Sequence, residues 1–306
     1  MKTAWLFPGQ ASQKVGMGID LFENTKIGKS YFDKANEILG YDIKSMIFDG
    51  PEEKLKQTQF TQPSIYIVSV ILGELMKNNG FEPSVVAGHS LGEYSALAVS
   101  NAFNYETGLS LVKVRAENMA KAGLKQKGSM AAIVGLDDKI IEKICNDYNG
   151  EGVVVVANYN SPGQVVISGS PAAVQNIMDA AKVTGARMAI ELNVSGAFHS
   201  PLMSPARQAL AEMLNSLEIS DASYPIYSNI DAKPVIKGID IKESLIRQLE
   251  NPVLWTRSIF SMKESGIESF LEIGPGKVLQ GLNKRIDSTI PIQGIETLDQ
   301  LNNYHV

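Results

Sequence analysis

Apolar residues fall into two rhythms along this chain. Thr3 to Phe7, Ser84 to Ala87 and Ser269 to Ile273 are short, nearly unbroken apolar runs that stop at glycine or proline, the pattern of strands buried on both faces. Tyr224 to Asn229 reads as one more strand in the second half. Between these runs the apolar spacing is helical. Asp20 to Lys56 carries Tyr31, Phe32, Ala35, Ile38 and Leu39 at helix period. A longer helix, apolar almost all round, is predicted to open with Thr61 as cap and Pro63 in its first turn and to run to Gly80, buried behind the Val85 strand. Tyr105 to Lys125, Pro201 to Leu217, Lys242 to Leu249 and Trp255 to Glu264 are predicted helices, as is the stretch after the glycine turn in GPGKVLQGLNKRI. The polar tail after Thr297 reads as peripheral.

Ser129 to Leu192 has its own order. SMAAIVGL, VVVVAN, QVVISG and RMAIEL read as strands, while DDKIIEKICNDY and PAAVQNIMDAAKVTG read as helices. The sequence βαββαβ is that of a ferredoxin-like unit. Residues 128–192 are therefore expected to form a small subdomain inserted into an α/β subdomain made of residues 1–127 and 193–306. The glycine-containing segments KQKGS and NVSG would be its hinges.

The bulk composition narrows the class without naming an activity. With 306 residues the chain fits about two domains, or one carrying an insertion, and 44% hydrophobic with 20% charged residues fits neither a disordered chain nor a membrane protein. A net charge of −5 offers nothing global to nucleic acid or an anionic membrane. The single cysteine, Cys145, cannot make an internal disulfide or a cysteine metal cluster. The start, MKTAWLFPGQ, is too short an apolar run for a signal peptide, so a cytoplasmic enzyme-sized protein is expected.

Candidate chemistry concentrates at Val85 to Glu93, VVAGHSLGE, where a strand meets a tight turn and the helix-forming run Glu93 to Val99. The GxSxG spacing puts Ser90 at the apex of a strained strand-to-helix turn, with flanking glycines that let strand and helix pass closely. The N–H of Leu91 would point toward an oxyanion from the helix amino end. A serine nucleophile needs a base, and the chain has three histidines. His305 is in the tail, and His89 adjoins Ser90 on the turn, where its ring must point away. His199, in GAFHSPL beyond the insertion, is the candidate. No acidic third member stands out, so an amide or a backbone carbonyl is expected to orient the imidazole. The loop PGQASQKVGMG leaves the first strand where open α/β sheets place ligands, but matches neither GxGxxG nor GxxxxGK[ST]. Arg115, among Val112, Val114 and Met119, reads by itself as an arginine snorkelling to solvent. Lys121, Lys125 and Lys127 complement a helix dipole or form a docking patch.

Taken together, FPGQASQ, TQPSIY, GHSLGEYSAL, VKVRAENM, ANYNSPGQVVISG, GAFHSPLM, YSNI, ENPVLWTRSI and EIGPGKVLQGL resemble, in order and spacing, the malonyl-CoA:acyl carrier protein transacylases. The resemblance covers essentially the whole chain. It implies an α/β-hydrolase-like large subdomain with a ferredoxin-like insertion, malonyl-CoA as substrate, an acyl carrier protein as partner and no bound cofactor or metal. It also implies a nucleophile at Ser90, a general base at His199 and oxyanion donors in the backbone N–H groups of Gln10 and Leu91. Gln248 would steady His199 through its main chain, and Arg115 would pair bidentately with the malonyl carboxylate. Phe198 and Leu91 match the malonyl-selective pattern, and Gln62, Asn158, Asn160 and Asn229 match pocket positions. Fatty-acid and polyketide synthesis both use such carriers, and a monomer is the default expectation. One departure is visible: Ala11 stands where the family has the middle glycine of GQGSQ, a strain if that position needs positive φ. An acyl hydrolase acting on carrier proteins could keep Ser90 and His199 but has little use for Arg115. A catalytically silent carrier-docking subunit would need none of them.

Overall fold

The computed structural model describes residues 1–305, and Val306 lies outside them. Ten strands form two sheets: β1 (Thr3–Phe7), β2 (Val85–Gly88), β3 (Ser129–Val134), β4 (Val154–Ser161), β5 (Gln164–Gly169), β6 (Met188–Glu191), β7 (Ile226–Tyr227), β8 (Pro234–Val235), β9 (Ser269–Ile273) and β10 (Ile292–Ile295). The larger sheet has the order β10-β9-β1-β2-β7-β8, parallel except where β8 turns back on β7. Its centre is β1, buried at every residue. Trp5 and Phe7 point into a core shared with the helix Thr58–Asn78, while Ala4 and Leu6 face Trp255, Ile259 and Leu279 on the helices of the other face. Burial on both faces is why the strand reads as an apolar run rather than an alternation.

The smaller sheet is antiparallel, in the order β4-β5-β3-β6, and two helices, Asp138–Asn146 and Pro171–Val183, cover it. Ile133, Ile141, Ile167, Val174 and Ile177 give it a core of its own. It is tied to the rest of the molecule through Val253, whose carbonyl accepts from the Tyr159 N–H and whose N–H donates to Ala157 O, both at 2.9 Å. The glycines of the two expected hinge segments lie in close packing: a Cβ at Gly128 would lie 2.5 Å from Ala197 N, and one at Gly196 would lie 3.2 Å from Gly123 Cα.

Several predicted boundaries move. The long buried helix begins at Thr58, not Thr61, with Gln57 as its cap residue, so Pro63 lies inside it. Proline leaves the Gln59 carbonyl without its helical donor, and the Tyr41 hydroxyl takes it at 3.3 Å. Thr61 turns its hydroxyl to Leu55 O at 2.6 Å instead of capping. Asp20 to Lys56 breaks into four helices, Pro201 to Leu217 into a 3₁₀ turn and the helix Ser204–Ser216, and the Lys242 helix begins at Gly238. Strand Tyr224 to Asn229 shrinks to β7, and β8 and β10 have no counterpart in the apolar pattern. The tail is docked: Leu298–Asn302 is helical, Leu301 is buried, and Tyr304 meets Phe81 edge-on. Among the described residues no helix is long and apolar enough to cross a membrane.

Candidate active site

Strand β2 and the helix Gly92–Val99 meet at Ser90, which holds φ at 51°. Glycine makes this turn possible from both sides. A Cβ on Gly88 would fall 1.9 Å from the Gly92 carbonyl carbon, one on Gly92 would fall 2.0 Å from Phe7 O, and one on Gly9 would fall 2.4 Å from His89 O. The loop after β1 is thereby pressed against the turn. Asn229 buckles the turn: its Oδ1 accepts from the Ser90 N–H at 2.7 Å and its Nδ2 donates to Gly88 O at 2.6 Å. Both ends of this side chain, expected to line a pocket, are thus engaged with backbone.

His199 also sits at positive φ, 58°, and its Nε2 lies 2.8 Å from Ser90 Oγ. Nδ1 faces two carbonyls, Gln248 O at 3.0 Å and Asn251 O at 3.1 Å. Carbonyls only accept, so Nδ1 carries the hydrogen and Nε2 presents its lone pair to the serine hydroxyl. Burial, with the nearby Arg115 charge adding to it, pushes the His199 pKa down to about 3. At neutral pH the imidazole is therefore unprotonated, the state a base requires. His89 points elsewhere, its Nε2 2.8 Å from Asn160 Oδ1 and its ring beside Trp255. His305 is exposed.

Arg115 does not snorkel. It lies on the helix Tyr105–Lys125, capped by Asn104, and is fully buried. Its Nη1 donates to Gln62 Oε1 at 2.6 Å, and its Nη2 donates both to Ser90 Oγ at 2.9 Å and to Gln248 Oε1 at 3.0 Å. Its Nε meets no acceptor among the described residues. The solitary-arginine reading fails because the helix face bearing Arg115 looks into the nucleophile, not out to solvent. Gln62 passes the contact on, its Nε2 donating to Gln10 Oε1 at 3.0 Å.

Ala11 has φ 77°, the left-handed region that its family glycine would enter freely. Its side chain is exposed and its N–H donates to Gln13 Oε1 at 2.9 Å, so the strain is held by a local bond. Among the described residues, neither the Gln10 nor the Leu91 backbone N–H meets an acceptor. Phe198 is buried in the main core beside His199. Asn158 is buried in β4, where its bridge is to Val253, and Asn160 is committed to His89. Two participants escaped the sequence reading. Asn251 supplies the second carbonyl to His199, and Glu93, 3% exposed, lies behind the site with its carboxyl pushed up to about 7 by burial. The signal for Glu93 was present: it is the one acidic residue on the helix Gly92–Val99, whose every residue is buried.

A serine hydroxyl against a tautomer-fixed histidine, with free backbone donors on a glycine-packed turn, fits an enzyme of acyl transfer. Sequence comparison agrees: residues 4–301 match the acyl transferase domain family, and the chain belongs to that family. It is similar to the malonyl CoA-acyl carrier protein transacylase of a Synechocystis species, 45% identical over 99% of each chain. Among solved structures it is similar to an acyl carrier protein S-malonyltransferase of Vibrio cholerae, with a TM-score of 0.94 and 42% identity over 99% of each chain. It is equally similar in fold, TM-score 0.94 at 39% identity over 99% of this chain and 98% of the other, to a malonyl-transacylase solved in complex with a type II PKS acyl-carrier protein.

Proposed function

We infer that this chain moves a malonyl group from malonyl-CoA, by way of an ester on Ser90, to the phosphopantetheine thiol of an acyl carrier protein. The observation that carries this reading is the 2.9 Å contact between Arg115 Nη2 and Ser90 Oγ, which sets a carboxylate-binding cation beside a nucleophile. His199 Nε2 takes the Ser90 proton as Oγ attacks the thioester carbonyl. The backbone N–H groups of Gln10 and Leu91 receive the oxyanion, and the intermediate collapses as His199 returns the proton to the departing coenzyme A thiolate. The carrier thiol then gives its proton to His199, attacks the ester, and Ser90 leaves reprotonated. Arg115 holds the free malonyl carboxylate through both half-reactions, with Gln62 and Gln248 fixing the guanidinium plane. Phe198 and Leu91 bound the space beside the acyl carbon, and Asn229 keeps the Ser90 turn closed.

The two sheets support a division into an α/β-hydrolase-like subdomain, residues 1–127 and 193–306, and a ferredoxin-like insertion, residues 128–192, with the site between them. A cytoplasmic carrier of fatty-acid or polyketide synthesis is the expected partner. Rapid-quench mass spectrometry of the protein mixed with malonyl-CoA tests the reading: one malonyl group on the peptide containing Ser90 is expected, transferable to added carrier protein. Wild-type protein that forms no adduct overturns it.

A further inference from the structure

Glu93 has no assigned part in the transfer, yet it joins the two halves of the site. Its Oε2 accepts from Gln248 Nε2 at 2.8 Å and from the Asn229 N–H at 3.3 Å. Asn229 is the residue that buckles the Ser90 turn. Gln248 holds His199 with its carbonyl, Arg115 with its Oε1, and Ser90 O with its Nε2. A side-chain amide is nearly symmetric in shape, and only its partners decide which end is oxygen. A carboxylate oxygen accepts, so Glu93 draws the Nε2 end of Gln248 to itself and leaves Oε1 facing Arg115. Among the described residues no salt bridge joins Glu93 to Arg115 directly. The interposed amide steadies the guanidinium without neutralising it as a carboxylate would, and among the described residues Nε–H and the second Nη1 hydrogen stay open for a carboxylate brought by the substrate.

We propose that Glu93 is a positioning residue: it sets the Gln248 amide and the Asn229 backbone, and through them the geometry of His199, Arg115 and the Ser90 turn. This rests on the roles given above to His199 and Arg115. The test compares malonyl-CoA and acetyl-CoA as donors to carrier protein for full-length wild type, E93M, E93Q and E93D, with folding followed by circular dichroism. E93M fills similar volume without an acceptor. It is expected to lower kcat/KM for malonyl-CoA about 10- to 100-fold, mostly in kcat, and to shrink the preference over acetyl-CoA. E93Q keeps a carbonyl acceptor and is expected to recover to within about fivefold of wild type, on the same hydrogen-bond reasoning. A purely structural residue would lower the melting temperature without touching the donor preference. Folded E93M with wild-type preference, or E93Q falling as far as E93M, overturns the proposal. Should E93M fail to fold, E93D decides: its retracted oxygen is expected to produce the same loss of preference, and a wild-type preference overturns the role. R115A and H199A separate the two readings. Malonyl transfer at the wild-type rate in either defeats the assigned site, whereas slowed transfer in both beside an unaffected E93M defeats only the role of Glu93.

Discussion

The guanidinium of Arg115 and the hydroxyl of Ser90 are directly hydrogen-bonded, Nη2 to Oγ at 2.9 Å, although Arg115 stands on the helix Tyr105–Lys125 and Ser90 on the turn before the helix Gly92–Val99. In the proposed reaction, the group that reads the far end of a malonyl unit thus sits against the atom that attacks its near end. On that proposal selection and chemistry share one contact, and the same charge adds to burial in holding the His199 pKa down.

Arg115→Ala is expected to cost about 10- to 100-fold in kcat/KM for malonyl-CoA, the worth of a charge-assisted pair, and to leave acetyl-CoA use undiminished. Arg115→Lys is expected to restore little, because a single ammonium cannot present two parallel donors to a carboxylate. Steady-state kinetics with both donors check this.

Ser90→Ala is expected to abolish the covalent adduct. His199→Ala is expected to slow adduct formation by about 10² to 10⁴, the usual range for a positioned base, while leaving Ser90 as the only site modified. Single-turnover mass spectrometry reads both.

The depressed pKa of His199 has a consequence for stability. The unfolded imidazole takes a proton near pH 6.5, the folded one only near 3. Between these values the unfolded chain binds more protons, so the contribution is complete above pH 6.5 and is lost as pH falls. Glu93 acts in the opposite sense, its raised pKa favouring the folded state below about 7. Comparison with His199→Ala removes that background. The stability of wild type relative to His199→Ala is expected to fall by up to about 1.4 kcal/mol per pH unit below 6.5, measured by urea unfolding at pH 7 and pH 5.

Ala11→Gly is expected to stabilise the protein by about 0.5 to 1 kcal/mol. Relief of a left-handed alanine exceeds the added chain entropy of glycine by roughly that amount. Chemical denaturation midpoints check it, and a destabilised variant would show that the Gln13 bond already offsets the strain.

Lys121, Lys125 and Lys127 are exposed at the end of the Arg115 helix, with Lys121 3.8 Å from Glu117. If they meet the carrier protein, reversing them to glutamate is expected to raise the KM for carrier protein several-fold, with the KM for malonyl-CoA unchanged. The effect should weaken at high salt, as screening of exposed charges requires. An unchanged carrier KM assigns them to the helix dipole alone.

Long elements with one strong period were legible: Tyr105–Lys125, Trp255–Glu264, β1 and β9 lie where the pattern put them. The short ones were not. β7 and β8 have two residues each, too few for any periodicity, and they exist because neighbouring strands offer them partners. Pro63 was misplaced because proline normally marks a first turn, and only the Tyr41 hydroxyl, brought by the fold, lets it sit deeper. Gln248 was expected to act through its main chain alone. Its side-chain bonds to Arg115, Ser90 and Glu93 join segments far apart in sequence.

By itself the sequence determined the candidate nucleophile, the candidate base and the turn that carries the first. Glycines flanking a serine and a histidine with no rival are local facts, written in residue type and spacing. Only the tertiary structure decided where Arg115 points, which carbonyls fix the His199 tautomer and how Glu93 reaches Gln248 and Asn229. Those are questions of direction: an arginine on a helix points to solvent or to a serine according to what packs around it, and packing is a property of the whole chain.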